Sequence, residues 1–355
     1  MARTFVIAEA GVNHNGSLDL ARQLVDAAVA TGADAVKFQT FRASSLTATH
    51  APKAAYQNRA IGSSTTQLEM LKRLELDEPA HHTLLAHCQA RGITFLSTPF
   101  DLESTDFLIA LDVPRLKISS GDVTNLPLLR RVGAANRPTI LSTGMSTLGD
   151  VEGALGALAS GAIAHEVGEV LRPAEAFVLS AGQAWLARNI TVLHCTTEYP
   201  APFEEVNLRA MDTLRDAFGL PVGYSDHTTG IAVPIAAVAR GAVVIEKHFT
   251  LDQSLPGPDH ASSLEPTEFG AMVRAIRDVE MALGSSRKIP SVSEARNVVP
   301  ARRSLVAARS IAKGEPFTSE NLAAKRPGTG ISPMLMDERL GRLAQRDYAM
   351  DDLIE

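Results

Sequence analysis

Short apolar, β-rich runs alternate with longer stretches of helical spacing almost from the first residue. The runs are Phe5–Ala8, Ala35–Phe38, Thr94–Leu96, Arg115–Ile118, Thr139–Leu141, Ile190–Leu193, Pro221–Tyr224 and Val243–Ile245. Between them lie stretches such as Leu20, Leu24, Ala27 and Ala28, or Leu68, Leu71 and Leu74, and later Met272, Ile276, Val279 and Leu283. Continuously apolar strands separated by helices predict a parallel sheet covered on both faces. Eight such units in this length of chain predict an α/β fold closed as a (β/α)8 TIM barrel rather than an open doubly wound sheet. No GxGxxG follows the first strand, which argues against a dinucleotide-binding fold.

Two regions depart from this rhythm. Leu155–Asn189 is longer than one helix needs and is broken at Arg172-Pro173, which predicts a helix, a turn and a second helical piece ending near Trp185. It reads as a surface elaboration of the barrel. After Gly284 the chain turns polar and is punctuated by Pro290, as a linker would be. From Ala301 onward, the strand-like runs Ser304–Ala307 and Leu322–Lys325 are set between Gly314-Glu315 and Pro327-Gly328 turns. The expected organisation is a catalytic barrel over 1–284, a linker over 285–300 and a small β-rich domain over 301–355. A domain of that size is near the lower limit for independent stability and should lean on a barrel, its own or a partner's.

Composition narrows the function. The 355 residues are 45% hydrophobic, enough for one large core and a smaller one. A net charge of −6 excludes nucleic-acid binding driven by counterion release. The charge is uneven: Ser285–Gly330 holds nine Lys or Arg against three Asp or Glu, a balance of +6, so the remainder carries −12. That basic stretch is either a solvated face or an arm that folds over something acidic. Cys88 and Cys195 are too few for a disulfide framework and are expected as buried free thiols. The N-terminus lacks the pattern of a signal peptide, and no apolar run approaches the roughly 20 residues of a membrane span. A cytoplasmic protein without nucleic-acid or membrane partners is expected.

In a barrel of this kind, side chains at the carboxyl ends of the strands converge on one mouth. Here those ends read Glu9, Lys37 with Gln39, Thr98, Lys117 with Ser119 and Ser120, Ser142, His194, Ser225-Asp226-His227 and Glu246-Lys247-His248. All eight are polar, which one turn residue would not explain, and the set as a whole reads as a site. His227 and His248 come from neighbouring strands spaced about 4.8 Å apart, so two imidazoles could meet one metal and leave positions open for substrate. Asp226 and Glu246 could be ligands, orienting groups or ion-pair partners of Lys247. Lys37 and Lys117 with the hydroxyls of Ser120 and Ser142 suit a phosphorylated or carboxylated ligand, and the Ser142-Thr143-Gly144 turn could add backbone N–H groups. Glu9 could act as general base or hold a sugar hydroxyl, whereas His14 reads as structural.

These residues, in this order, resemble the sialic acid synthase family, the N-acetylneuraminate synthases. The resemblance rests on AEAGVNHNG (8–16), KFQTF (37–41), APKAAYQ (51–57), STPFD (97–101), KISSGD (117–122) and LSTGMST (141–147). It continues through LHCTTEYPAPFEEVNL (193–208), GYSDHTTG (223–230), IEKHFT (245–250), GPDHASSLEP (257–266) and KRPGTGISP (325–333), which spans essentially the whole chain. The resemblance implies a TIM barrel followed by a small antifreeze-like (SAF) domain. It implies condensation of phosphoenolpyruvate with N-acetylmannosamine and water to release phosphate, assisted by a divalent metal, often manganese. An alternative is the same chemistry on another N-acetylated amino sugar, giving N,N′-diacetyllegionaminate or pseudaminate.

Carried over by motif, His227 and His248 match the metal ligands, and Lys37, Thr98, Lys117, Ser120 and Ser142 match the phosphoenolpyruvate-binding set. Glu9, Gln39, Tyr199 and Asp259 match positions near the sugar or the reacting carbon; Ser225, Asp122 and Thr197 complete the expected set. Arg326 matches an arginine that the antifreeze-like domain delivers to the other subunit of a domain-swapped homodimer. The chain departs from the family's usual KIGSGE, with Ser119 for Gly and Asp122 for Glu, and Thr197 stands where some members have Asn. Two rival readings are metal-dependent hydrolysis of a sugar phosphate and a non-enzymatic ice- or glycan-binding protein.

Overall fold

The computed structural model describes residues 3–62 and 65–355. Eight parallel strands form one sheet: β1 (Phe5–Gly11), β2 (Ala35–Thr40), β3 (Thr94–Pro99), β4 (Leu116–Ile118), β5 (Thr139–Ser142), β6 (Ile190–Cys195), β7 (Val222–Asp226) and β8 (Val244–His248). Their order, β3-β2-β1-β8-β7-β6-β5-β4, sets the first strand beside the last, and β3 and β4 adjoin each other at the seam. The sheet is therefore a (β/α)8 barrel, and each predicted run overlaps its strand.

Period-two alternation sorts the side chains into two populations. Ile7, Ala35, Leu96, Ile140, Leu193 and Val244 form an apolar plug inside the barrel. Two residues further along the same strands stand Glu9, Lys37, Thr98, Ser142, Cys195 and Glu246, which places a polar layer directly above the plug. The alternate positions, among them Val6, Ala8, Val36, Phe38, Phe95, Leu141, Val192, Tyr224 and Ile245, join the helices in the main core. The helix Leu18–Thr31 shows how the covering layer is specified. Ser17 caps it by accepting the N–H of Leu20, Gly32 ends it in the left-handed conformation, and Ala21, Leu24, Val25 and Ala28 bury one face.

The region 155–189 is not a surface elaboration. A helix running from Leu148 to Val167 is followed by Pro173–Val178 and Ser180–Asn189, the last of which passes straight into β6. Leu155, Leu158, Ile163, Ala176, Trp185 and Leu186 are all part of the main core. The Leu148–Val167 helix lies so close to Leu126–Ala134 that a Cβ on Gly161 would stand 2.0 Å from the carbonyl oxygen of Arg130. Its apolar positions therefore face two neighbours, which erases the one-sided pattern that marks a simple barrel helix.

The chain divides into two compact units, Met1–Gly284 and Ser285–Glu355. In the second, β9 (Ser304–Ala307) pairs antiparallel with β10 (Leu322–Lys325), the two runs read from the sequence. Leu305, Ile311, Phe317, Leu322, Tyr348 and Ile354 make its core. The stretch 285–300 is not all irregular linker: Val292–Ala301 is helical, started by a capping box in which the side chains of Ser291 and Glu294 each accept the other's backbone N–H. Arg326 is exposed, and its Nε donates to the carbonyl of Ala301. Among the described residues no helix is long and apolar enough to cross a membrane. Cys88 and Cys195 are buried free thiols, as expected.

His14 ties down the turn after β1, accepting the N–H of Gly16 on Nδ1 at 3.0 Å. It is fully buried, and burial first, then the neighbouring His81 and His260, lower its pKa to about 4. Its folded pKa lies below the unfolded one, so the stability it contributes is complete above pH 6.5 and is lost as pH falls toward 4. Between pH 7 and 5, His14 alone should account for about 2 kcal/mol of lost stability. His14→Asn keeps an acceptor for Gly16 and removes the titration. Urea unfolding followed by Trp185 fluorescence, the chain's one tryptophan, should show that much less acid sensitivity in the variant.

Candidate active site

The strand ends and the loops that follow them bring Glu9, Lys37, Gln39, Thr98, Lys117, Ser120, Asp122, Ser142, Thr197, Tyr199, Ser225, His227, His248 and Asp259 to the wall of one cavity of about 550 Å³. Arg326 lies in the other unit.

The floor is a buried quartet of charges. Lys37 Nζ lies 2.6 Å from Glu9 Oε2 and 3.8 Å from Glu246 Oε2, and it donates to Thr98 Oγ1 at 3.0 Å. Lys117 Nζ donates to Ser142 Oγ at 2.7 Å and stands 3.5 Å from Glu246 Oε1. Glu246 thus serves both lysines, and Ser225 donates to its Oε1 at 3.0 Å. Burial works against its charge, but Lys117 and Lys37 outweigh burial and bring its pKa down to about 2. Glu9 goes the other way: burial dominates, opposed by Lys37, and lifts it to about 7. Lys37 is raised because the carboxylates of Glu246 and Glu9 overcome the burial that would lower it, whereas burial prevails at Lys117. One carboxylate is held ionised and the other sits at the edge of protonation, which is how neighbouring carboxyls divide into different roles. Gln39 Nε2 donates to Glu9 Oε1 at 3.3 Å and orients it.

His227 and His248 stand side by side with ring centroids 5.4 Å apart. The Nδ1–H of His227 donates to the carbonyl of Thr196 at 2.6 Å, which leaves the lone pair on Nε2. His248 Nδ1 is buried and has no hydrogen-bond partner among the described residues, with Asp259 Oδ2 3.8 Å away. Burial lowers both imidazoles, and His227 pushes His248 further down. Burial also raises Asp259 to about 6, against the pull of Lys37. Uncharged rings, one with its tautomer fixed and one with an orphaned nitrogen, fit a divalent cation. Among the described residues no group of three or more His, Cys, Asp or Glu is gathered for a metal, so the candidate donors are this pair.

Several expectations need correction. His194 does not enter the mouth: it faces outward beside Tyr224, with ring centroids 5.8 Å apart, and donates to the carbonyl of Val206. Alternation along β6 puts Cys195 in the mouth instead, its Sγ 3.2 Å from Ser120 Oγ. Asp226 and Lys247 also face outward, as a fully buried pair 2.6 Å apart. The turn after β5 has little backbone to offer an anion. The N–H of Thr143 is taken by the Leu193 carbonyl and that of Gly144 by Ser120 Oγ. A Cβ on Gly144 would lie 2.1 Å from Thr197 Oγ1, so glycine is required for the β5 and β6 loops to meet. Asp122 accepts from Ser119 and Asn125 and is spent on its own loop. Sequence reasoning missed Cys195, which period-two counting from Leu193 would have found. It also missed Tyr56, Gln57 and Met145, which line the cavity from irregular segments that carry no such signal.

Residues 24–288 match the NeuB family, and residues 302–354 match the SAF domain. The chain is 49% identical to the N,N′-diacetyllegionaminic acid synthase of Campylobacter jejuni, with 100% of this chain and 99% of that protein aligned. It is 48% identical to the protein of the same name from Legionella pneumophila, covering 95% and 89%. A crystal structure of an N-acetylneuraminic acid synthetase from Leptospira borgpetersenii, in complex with citrate, superposes with a TM-score of 0.66. That pair is 30% identical over 83% of this chain and 90% of that one.

Proposed function

This chain belongs to the NeuB family, and on that premise we propose that it condenses phosphoenolpyruvate with a di-N-acetylated amino sugar to give N,N′-diacetyllegionaminate and phosphate. The observation that carries the chemistry is one cavity that joins two buried ammonium groups to two uncharged imidazoles. The choice of sugar follows the relatives. N-acetylneuraminate, the first expectation from the sequence, yields to its alternative because the two legionaminic acid synthases are 49% and 48% identical, against 30% for the neuraminic acid synthetase.

In this reading Lys37 and Lys117 hold the phosphate and carboxylate of phosphoenolpyruvate, and Thr98 and Ser142, already bonded to those ammonium groups, keep them aimed. His227 and His248 would hold the divalent metal, manganese by the family resemblance, and when bound it supplies Lewis-acid polarisation of the aldehyde oxygen. The methylene carbon of phosphoenolpyruvate bonds to the aldehyde carbon, and water then adds to the cationic carbon left behind. Glu9, with a pKa of about 7, is protonated as phosphoenolpyruvate loads, gives that proton to the new alkoxide and then accepts one from the added water; the remaining hydroxyl proton leaves with the phosphate as the C–O bond breaks and the ketone forms. Asp259 and Tyr199 face the acceptor. We include in the proposal that the enzyme works as a homodimer in which Arg326 is delivered to the other copy.

Mass spectrometry of the product made from phosphoenolpyruvate with a 2,4-diacetamido hexose and with N-acetylmannosamine tests the reading. The expected result is phosphate release coupled to a carbon–carbon-bonded keto acid, with the diacetamido sugar preferred. Phosphate release without that product would overturn it in favour of hydrolysis.

A further inference from the structure

We propose that the segment between β2 and the helix Glu78–Arg91 builds an apolar specificity wall over the cavity, and that Tyr56 is the side chain in it that contacts the acyl groups of the acceptor sugar. The proposal rests on the reading of this cavity as a site for phosphoenolpyruvate and an acylated amino sugar.

Between Thr40 and Glu78 the chain leaves the barrel and forms the short helices Ala43–Leu46, Ala55–Ile61 and Gln67–Lys72. They carry a hydrophobic cluster of their own, separate from the barrel core, in which Met70, Leu71 and Leu74 pack with Val12, Phe41 and Leu46. Leu46, Met70, Leu71, Leu74 and Phe100 reach the cavity from this side, opposite in character to the charged floor. The cavity is therefore two-faced. The same segment also brings Thr47, Gln57 and Gln67 to the cavity, but sugar hydroxyls pressed against the patch of Leu46, Met70, Leu71 and Leu74 would lose their partners there, whereas acetamido methyl groups would be received without that loss.

Tyr56 is placed where the two faces meet. Its ring lies 4.7 Å from that of Tyr199, and the ring of Tyr199 lies 4.2 Å from that of His227. Three rings thus run from the wall to a candidate metal ligand. Two ties hold Tyr56 there. Arg59 Nη2 meets Glu198 Oε1 at 2.6 Å, joining the helix that carries Tyr56 to the loop that carries Thr197 and Tyr199. The buried ammonium of Lys53 donates to the Gly62 carbonyl at 2.6 Å and to Thr65 Oγ1 at 3.0 Å. Thr197 Oγ1, buried and without a partner among the described residues, lines the same cavity and offers a hydroxyl to an acetamido group. Nothing in the barrel's own packing calls for an aromatic ring at Tyr56, which belongs to neither hydrophobic cluster.

Steady-state kinetics of the wild type, Tyr56→Ala and Tyr56→Phe with both sugars test this. Tyr56→Ala should raise KM for the diacetamido sugar about tenfold or more, with kcat and the KM for phosphoenolpyruvate within about twofold. Selectivity over N-acetylmannosamine should shrink correspondingly, and Tyr56→Phe, which keeps the ring, should restore the acceptor KM. An unchanged acceptor KM in Tyr56→Ala, or an equal rise for both sugars and for phosphoenolpyruvate, would overturn the proposal while the wild type remains active. If the wild type joins phosphoenolpyruvate to neither sugar, the functional reading fails and the proposal with it.

Discussion

Replacing His248 with alanine is expected to lower kcat by about a thousandfold or more, the scale on which loss of a preorganised electrostatic group at a reacting oxygen is felt. The reason is the thinness of the donor set: among the described residues no group of three or more ligand-type side chains is present, so removal of one imidazole leaves a single nitrogen donor. Calorimetric titration of chelator-treated protein with manganese should show binding to the wild type and its loss in the variant. Circular dichroism and Trp185 fluorescence should stay unchanged, because His248 stands above the polar layer, at the end of β8, and is not part of the apolar core. Full activity of His248→Ala in metal-free buffer would sink the metal role altogether.

The largest effect on stability is expected one residue before each histidine. Asp226 and Lys247 are ladder partners at the ends of β7 and β8, are wholly buried and meet at 2.6 Å. Lys247 also donates to the Thr228 carbonyl, and Asp226 accepts from the hydroxyl and N–H of Thr228. Either Asp226→Asn or Lys247→Met strands a charge in the layer between sheet and helices and should cost about 3–5 kcal/mol. The double variant should recover much of that loss, since replacement of both partners removes the uncompensated charge. Urea denaturation of the three variants decides the matter, and additive losses in the double variant would show that the two groups act independently.

The barrel was legible because each strand is an unbroken apolar run between helical stretches, a pattern few other folds produce. What the runs do not display is facing. His194 and Cys195 are adjacent in sequence, and only the position of Leu193 in the barrel plug decides which of them enters the mouth. The same ambiguity left Asp226 and Glu246 open, although one turns out to the helices and the other in to the lysines. The helix Leu148–Val167 misled because it is buried against two neighbours and lacks a polar face to betray its role. Tyr56 was invisible for the opposite reason: it sits in short helices whose order comes from Lys53, Arg59 and the Met70 cluster, contacts made across many residues of chain.

The quartet beneath the mouth behaves as a resin behaves. Its two fixed cations, Lys37 and Lys117, are loaded with resident counter-ions, Glu9 and Glu246, so the floor by itself is close to electroneutral. An anion joining such a floor meets the carboxylates already there, whose charge opposes it until one of them is neutralised. Glu246, with a pKa of about 2, keeps its charge, while Glu9, at about 7, can surrender its own by taking up a proton. Loading a trianionic substrate is therefore expected to draw a proton from solvent, visible as buffer-dependent binding heat near neutral pH. The same step charges the enzyme with the proton it must release again when the product leaves.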